Sequence, residues 1–486
     1  MPSQRVRVVQ GSCWPCKKRR VKCDLAKPVC QRCVAAGASC DYNTRLIRWS
    51  TRPSVALADA SALTSSGGGA VTSPGAASVT FAAAASRAMR TIQRPLVNDE
   101  QRALGYFQGR VWPLLTTVPD PCAPPTPFAM QHRVVMLSMC VFAASHRYLQ
   151  DGRGEELITP ARSECLQVLR AHVDGVCNKR SDMLPTLLFA VLLLYLHDGF
   201  VEGSATSATL KHSHGVLAIL AQLGGLPAVI GRGHESMDML LSEFASTDLT
   251  TALLQERTPA FAPDLWPIID KSSVWWGRDP LGRCSLAAVF EDMAALAIYH
   301  DELRSGVEIL SVDRVRDFEL RLQPIYAPLT PEDLDGTGTG SPETTTSSPP
   351  STPAPGDIEA VEAFKLVRAF QQTALIYMYR VVCGLSAYHP LVQQHVDSCL
   401  DGLFEVPRSS NIFHCVIFPL YVAGAHAQSP KRREAVADMV GSIFDDMRFG
   451  SVRAIGVALR DVWRGDPDAM SWRTMFGYLS PYAVVL

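Results

Sequence analysis

The sequence predicts a mainly α protein in three parts, on three observations. From about residue 98 onward apolar residues recur at three-to-four spacing, while alternating strand patterns are scarce. Residues 51–80 (TRPSVALADASALTSSGGGAVTSPGAASVT) are rich in Ser, Ala and Gly and almost free of charge. Ahead of them stand six evenly spaced cysteines, Cys13, Cys16, Cys23, Cys30, Cys33 and Cys40. The expected parts are a small cysteine-framed domain over 1–50, a flexible linker over 51–97 and a large all-α body over 98–486.

The body reads as a succession of amphipathic helices. Asn98 with Gln101 makes a capping box ahead of ALGYFQGRVWPLL. Helical spacing then covers 132–149, 160–177, 184–198, 206–223, 238–256, 284–304, 359–386, 391–404, 411–427, 430–448 and 451–464. Gly224-Gly225 and Gly450 are expected as helix stops. LLFAVLLLYL at 187–196 spans about half a bilayer, so it is expected as a buried helix and no membrane association is expected. Residues 331–357 (PEDLDGTGTGSPETTTSSPPSTPAPGD) carry five acids and no base and lack the apolar surface to order themselves, which makes them a disordered acidic insertion. No period of 20–50 residues stands out.

Charge divides the chain more sharply than composition does. The formal net charge is −1, yet residues 1–52 hold 12 Lys or Arg against only Asp24 and Asp41. The remainder holds 34 basic and 45 acidic residues, a net of −11. A basic arm on an acidic body points to a polyanionic partner for the arm. The N-terminal MPSQRVRVVQGSCWPC holds no apolar core of signal-peptide length, so a reducing compartment and thiol or metal-bound cysteines are expected.

The cysteines are spaced C-x2-C-x6-C-x6-C-x2-C-x6-C, a half-motif written twice. Each C-x2-C pair chelates through a tight turn, and four thiolates around tetrahedral Zn²⁺ make the usual closed structural site. Six ligands for two ions require two bridging thiolates. The segment needs that metal: Trp14, Val21, Leu25, Val29 and Val34 are too few to fold residues 13–40 alone. Structural zinc contributes on the order of 10–16 kcal/mol to such peptides. Between the second and third cysteines runs KKRRVK, whose like charges repel by about 1 kcal/mol per close pair even in water. Zinc, and then phosphate, would offset that repulsion. The same run also has the composition of a nuclear import signal.

These residues resemble the fungal zinc binuclear cluster family of DNA-binding domains, in every cysteine spacing, in the basic run and in Lys27-Pro28 before Cys30. The resemblance implies two zinc ions bridged by the first and fourth cysteines, here Cys13 and Cys30, and a first helix that enters the major groove and reads CGG-like triplets. It places Arg19 and Arg20 at the base-contacting positions, with Lys22 just before the third cysteine; where this chain has Arg20 the family most often has Lys. Arg donates two parallel hydrogen bonds to guanine O6 and N7. Lys17, Lys18, Lys22 and Lys27 suit phosphates. The body is similar to the fungal-specific transcription factor domain in LLFAVLLLYLHDGF, in LKHSHGVLAIL with His212 and Gly215, and in stretches at 279–297, 418–436 and 457–476. Together these imply a nuclear, sequence-specific regulator of RNA polymerase II genes that binds double-stranded DNA and engages transcription machinery or co-regulators. No sustained apolar heptad follows the cluster, so monomer binding and a homodimer through the body both stay open.

Other classes fare worse. A thiol-rich metal-handling protein is the alternative, but storage needs no clustered arginines. No G-x-S-x-G, P-loop or G-x-G-x-x-G is present, so an enzyme is not expected. His212-x-His214 has the spacing of half a metal site, with no acid or thiol at ligand spacing beside it in sequence; His197-Asp198 reads as a capping and packing pair.

Overall fold

In the computed structural model the described residues are 16, 21, 23–26, 29–37 and 40 of the N-terminal part, and residues 98–486 except 116–121, 153, 178–180, 204–206, 233, 273–284, 324–354, 411, 478, 480–482 and 484–486. The chain divides into two compact units, Met1–Ala76 and Ala77–Leu486. The expected linker over 51–97 lies outside the described residues, as does the acidic insertion up to residue 354.

The first unit holds one described helix, α1 (Gln31–Val34). The second is all helical, and no strand occurs among the described residues. It opens with α2 (Asn98–Tyr106), then α3 (Thr126–Ala129), α4 (Arg133–Asp151), α5 (Glu155–Cys177), α6 (Leu184–Leu196) and α7 (Thr209–Gln222). A central group follows: α8 (Glu235–Gln255), α9 (Trp266–Ser272), α10 (Leu286–Ser305) and α11 (Val312–Leu322). The last group comprises α12 (Pro355–Tyr377), α13 (Pro390–Phe404), α14 (Ile417–Ala425), α15 (Pro430–Met447), α16 (Gly450–Arg464) and α17 (Trp472–Phe476).

Apolar, fully buried α6 is the axis of the first group; α4 and α7 pack on it, and α5 lies on α4. Although Leu184–Glu202 is long and apolar enough to cross a membrane, it is wholly enclosed by its neighbours. In the last group α12 packs against α13 and α14, while α16 lies across α14 and α15. The chain ends are tied back: α16 rests on a π-helical turn at His197–Glu202 just after α6, and α17 returns to α8, where Trp472 Nε1 donates to the Leu253 carbonyl at 2.9 Å. One continuous apolar core runs through all three groups.

Several expected boundaries move. α5 starts five residues before Pro160, which sits inside the helix. α14 starts at Ile417, not residue 411, and α12 begins at Pro355, within the last three residues of the acidic segment. Gly224 and Gly225 end α7 with φ of +93° and +91°, as expected of glycines. Gly450 is no stop: α15 ends at left-handed Arg448, and Gly450 is the first residue of α16. Helix α11 was not expected at all. Its inward face, buried Phe318 and Leu322 with half-buried Val315, is narrow, and exposed Val312 and Leu320 blur the period.

Candidate metal centre and the buried polar cluster

Of the six predicted ligands, five are described, and four of these are buried: Cys16, Cys23, Cys30 and Cys33. Cys40 is partly exposed and packs against them, while Cys13 lies outside the described residues. Two thiol triads form. The sulfurs of Cys16, Cys23 and Cys30 lie within 4.8 Å of one another, and so do those of Cys30, Cys33 and Cys40. Cys30 belongs to both.

The spacing fits zinc. Tetrahedral Zn–S bonds of about 2.3 Å put sulfurs about 3.8 Å apart, and Cys16 Sγ lies 3.7 Å from Cys30 Sγ and 3.9 Å from Cys33 Sγ. The backbone supports thiolates at these positions. Cys30 Sγ accepts from the Cys33 amide at 3.3 Å at the start of α1, Cys40 Sγ from the Cys30 amide at 3.2 Å, and Cys23 Sγ from the Leu25 amide at 3.4 Å. Leu25 takes positive φ, +63°, to turn the chain there. Asp24 accepts from the Gln31 amide at 3.1 Å, a bond that holds its carboxyl below the usual range. The described donor set is soft and sulfur-only, which is the chemistry of a structural zinc site. The predicted DNA contacts Lys17, Lys18, Arg19, Arg20, Lys22 and Lys27 all lie outside the described residues.

The body holds a second cluster, with Asp198 at its centre. Its side chain is fully buried. One oxygen is 2.7 Å from His197 Nδ1 and the other 3.3 Å from His212 Nε2. The Ala208 amide donates to it at 3.2 Å, and an Arg162 nitrogen from α5 lies 3.2 Å from both oxygens. Arg162 also pairs with Glu202. His197 Nε2 lies 2.9 Å from Ser145 Oγ on α4. His212 therefore does have an acidic partner, one that its local sequence conceals because the acid is fourteen positions upstream. His197, Asp198 and Glu202 are close enough to hold an ion, but the Arg162 guanidinium already supplies the positive charge. Ser145, His197 and Asp198 are joined like a catalytic triad, yet all three are buried. The cluster bolts α4, α5, α7 and the π-helical turn together, more than the capping pair expected. Near the surface, an open cleft of about 490 Å³ is lined by Leu114, Phe413, His414, Ile443 and Met447, with paired Arg408 and Asp446 at its edge.

Comparison with known proteins places these features. Residues 102–479 match the fungal specific transcription factor domain, and residues 11–50 match the fungal Zn(2)-Cys(6) binuclear cluster domain. Over 41 residues the chain is 46% identical to the phomenoic acid biosynthesis cluster-specific transcriptional regulator of Leptosphaeria maculans. That stretch is 8% of this chain and 8% of the relative's length. No solved structure matches.

Proposed function

The chain belongs to the fungal specific transcription factor family and carries a binuclear cluster domain that binds two zinc ions, and from this premise we propose that it reads short CGG-like triplets to control RNA polymerase II genes. It is a DNA-binding transcriptional regulator, and its families are not those of enzymes.

We assign Cys13, Cys16, Cys23, Cys30, Cys33 and Cys40 as the ligands, with Cys13 and Cys30 bridging. The observation that carries the assignment is the membership of Cys30 in both thiol triads. When bound, the metal supplies the rigidity that residues 13–40 have too little core to provide. Arg19 and Arg20 would then meet guanine edges in the major groove, and Lys17, Lys18, Lys22 and Lys27 the phosphates. The body acts as the regulatory part that recruits co-regulators or transcription machinery, away from membranes, and the chain binds DNA either as a monomer or as a homodimer formed through the body. A nuclear location agrees with the family and with the import-signal composition of KKRRVK.

Selection of randomised duplex DNA by the full-length, zinc-loaded chain tests this. CGG-like triplets should be enriched among the sequenced survivors. Enrichment of an unrelated sequence, or of none, overturns the reading.

A further inference from the structure

Exposed large apolar side chains are mostly scattered singly over the body, as on ordinary surfaces. One stretch differs. In the turn between α10 and α11 Val307 is 74% and Ile309 82% exposed, and on α11 Val312 is 81% and Leu320 61% exposed. The turn is not frayed. Tyr299 Oη donates to the Ile309 carbonyl at 3.1 Å and accepts from the Ser311 amide at 2.9 Å, and Ser311 caps α11. The Arg314 guanidinium covers the Tyr299 ring at 4.6 Å. Ordered backbone therefore holds these side chains in water, and on α11 Val312 and Leu320 lie outside the face formed by Val315, Phe318 and Leu322.

The charges on that side say what covers it. Helix α11 carries Asp313, Asp317 and Glu319 against Arg314, Arg316 and Arg321, a balanced set. Arg321 is committed to Asp292 and Asp317, Glu319 to Tyr379 and Arg314 to the Tyr299 ring. Among the described residues Asp313 and Arg316 have no ion-pair partner. They lie on the exposed side with Val312 and Leu320, one of each sign. Laid antiparallel on its own copy, α11 brings Arg316 to Asp313 of the second chain and Asp313 to its Arg316. The same register carries Leu320 of each chain past the start of the other's α11, toward the turn that holds Ile309. Such self-complementarity is what a two-fold axis requires. A strongly acidic partner, such as residues 331–354, would be drawn to Arg316 but repelled by Asp313, whereas a second copy pairs both.

We propose that the face formed by Ile309, Val312, Asp313, Arg316 and Leu320 docks a second copy of this chain antiparallel about a two-fold axis. The proposal rests on the homodimer reading above and supplies its surface. A patch of this length buries on the order of 1,000 Å² in total, the lower end for a specific interface, so the dimer is concentration-dependent.

Sedimentation velocity of the full-length, zinc-loaded protein over a wide concentration range tests it, with circular dichroism to confirm folding. The unaltered chain should pass from monomer to dimer. Arg316→Asp alone and Asp313→Arg alone should each weaken the dimer about tenfold or more, and the two together should restore it. If the single swaps leave dimerisation unchanged, this face is overturned while the homodimer reading stands. If the chain is monomeric throughout, both fall. If dimerisation appears only after deletion of residues 324–354, the chain's own segment covers the face and the proposal fails for the intact protein.

Discussion

Arg162 reaches from α5 to Asp198 with one guanidinium nitrogen 3.2 Å from each carboxylate oxygen, and this contact joins elements 36 positions apart. Burial alone would raise the Asp198 carboxyl, but hydrogen bonds from His197 and His212 and the Arg162 charge hold it well below its usual range. Asp198→Asn keeps the shape and removes the charge these donors face. Loss of one partner from a buried pair costs about 3–5 kcal/mol. Urea unfolding of the variant should show a midpoint lowered accordingly; an unchanged midpoint would mean that the cluster adds nothing to stability.

His426 sets a pH dependence. It is fully buried; its Nδ1 donates to the Val422 carbonyl at 2.8 Å and its Nε2 accepts from Arg380 at 3.3 Å, which leaves no room for a second proton. Burial pushes its pKa down to about 4. The unfolded chain takes up the proton near pH 6.5, whereas the folded chain resists it until about 4. Stability is therefore full above pH 6.5 and falls as pH drops through that window, by about 3 kcal/mol from this group. His426→Gln should flatten the slope of unfolding free energy between pH 6.5 and 4 by up to about 1.4 kcal/mol per pH unit. Other buried histidines keep it from vanishing, among them His197 and His146. An identical slope in the variant would exclude His426 as the group responsible.

Where the sequence succeeds, a local rule suffices. Helical periodicity places α4, α6, α8 and α12 because each buries a wide apolar face, and the described members of the spaced cysteine set fall together in two thiol triads. Where it fails, the cause is distant or masked by exposure. Asp198 meets Arg162 and His212 through packing of α5 on α4 and of α7 on α6, which no local pattern encodes. Helix α11 hides behind the apolar side chains it exposes. Gly450 looks like punctuation, but its role is steric: a Cβ there would lie 2.3 Å from the Val201 carbonyl oxygen, where the π-helical turn crosses the start of α16.

That crossing makes a paired prediction. Gly450→Ala forces backbone apart at a buried contact, and overpacking of this kind costs about 3 kcal/mol. Gly441, inside α15, has open space where a Cβ would go. Gly441→Ala should stabilise by about 0.5–1 kcal/mol, because a helical alanine loses less entropy than glycine. Thermal unfolding should therefore move in opposite directions for the two variants. Equal and small shifts would mean that the turn and α16 do not touch as closely as described.

On the basic run, base and phosphate roles separate by measurement. Arg20→Ala should cost about 1–3 kcal/mol on the preferred site and relax base preference. Lys17→Ala should weaken all duplexes alike and reduce the salt slope by about one. Titrations at several salt concentrations on preferred and scrambled DNA distinguish them; a uniform loss for Arg20→Ala would remove it from the reading set.

The shared thiol gives the most direct test of the metal centre. Cys30 stands in both triads, whereas Cys40 stands in only one. Cys30→Ala should therefore strip both zinc ions and abolish specific DNA binding, while Cys40→Ala retains part of the metal. The body has its own core and should unfold at the same temperature in both variants. Bound zinc per chain, measured after gel filtration, reads the difference. If Cys30→Ala kept two tightly held ions and full DNA affinity, no bridging role could be assigned to this sulfur, and the short distance from Cys16 would be packing alone.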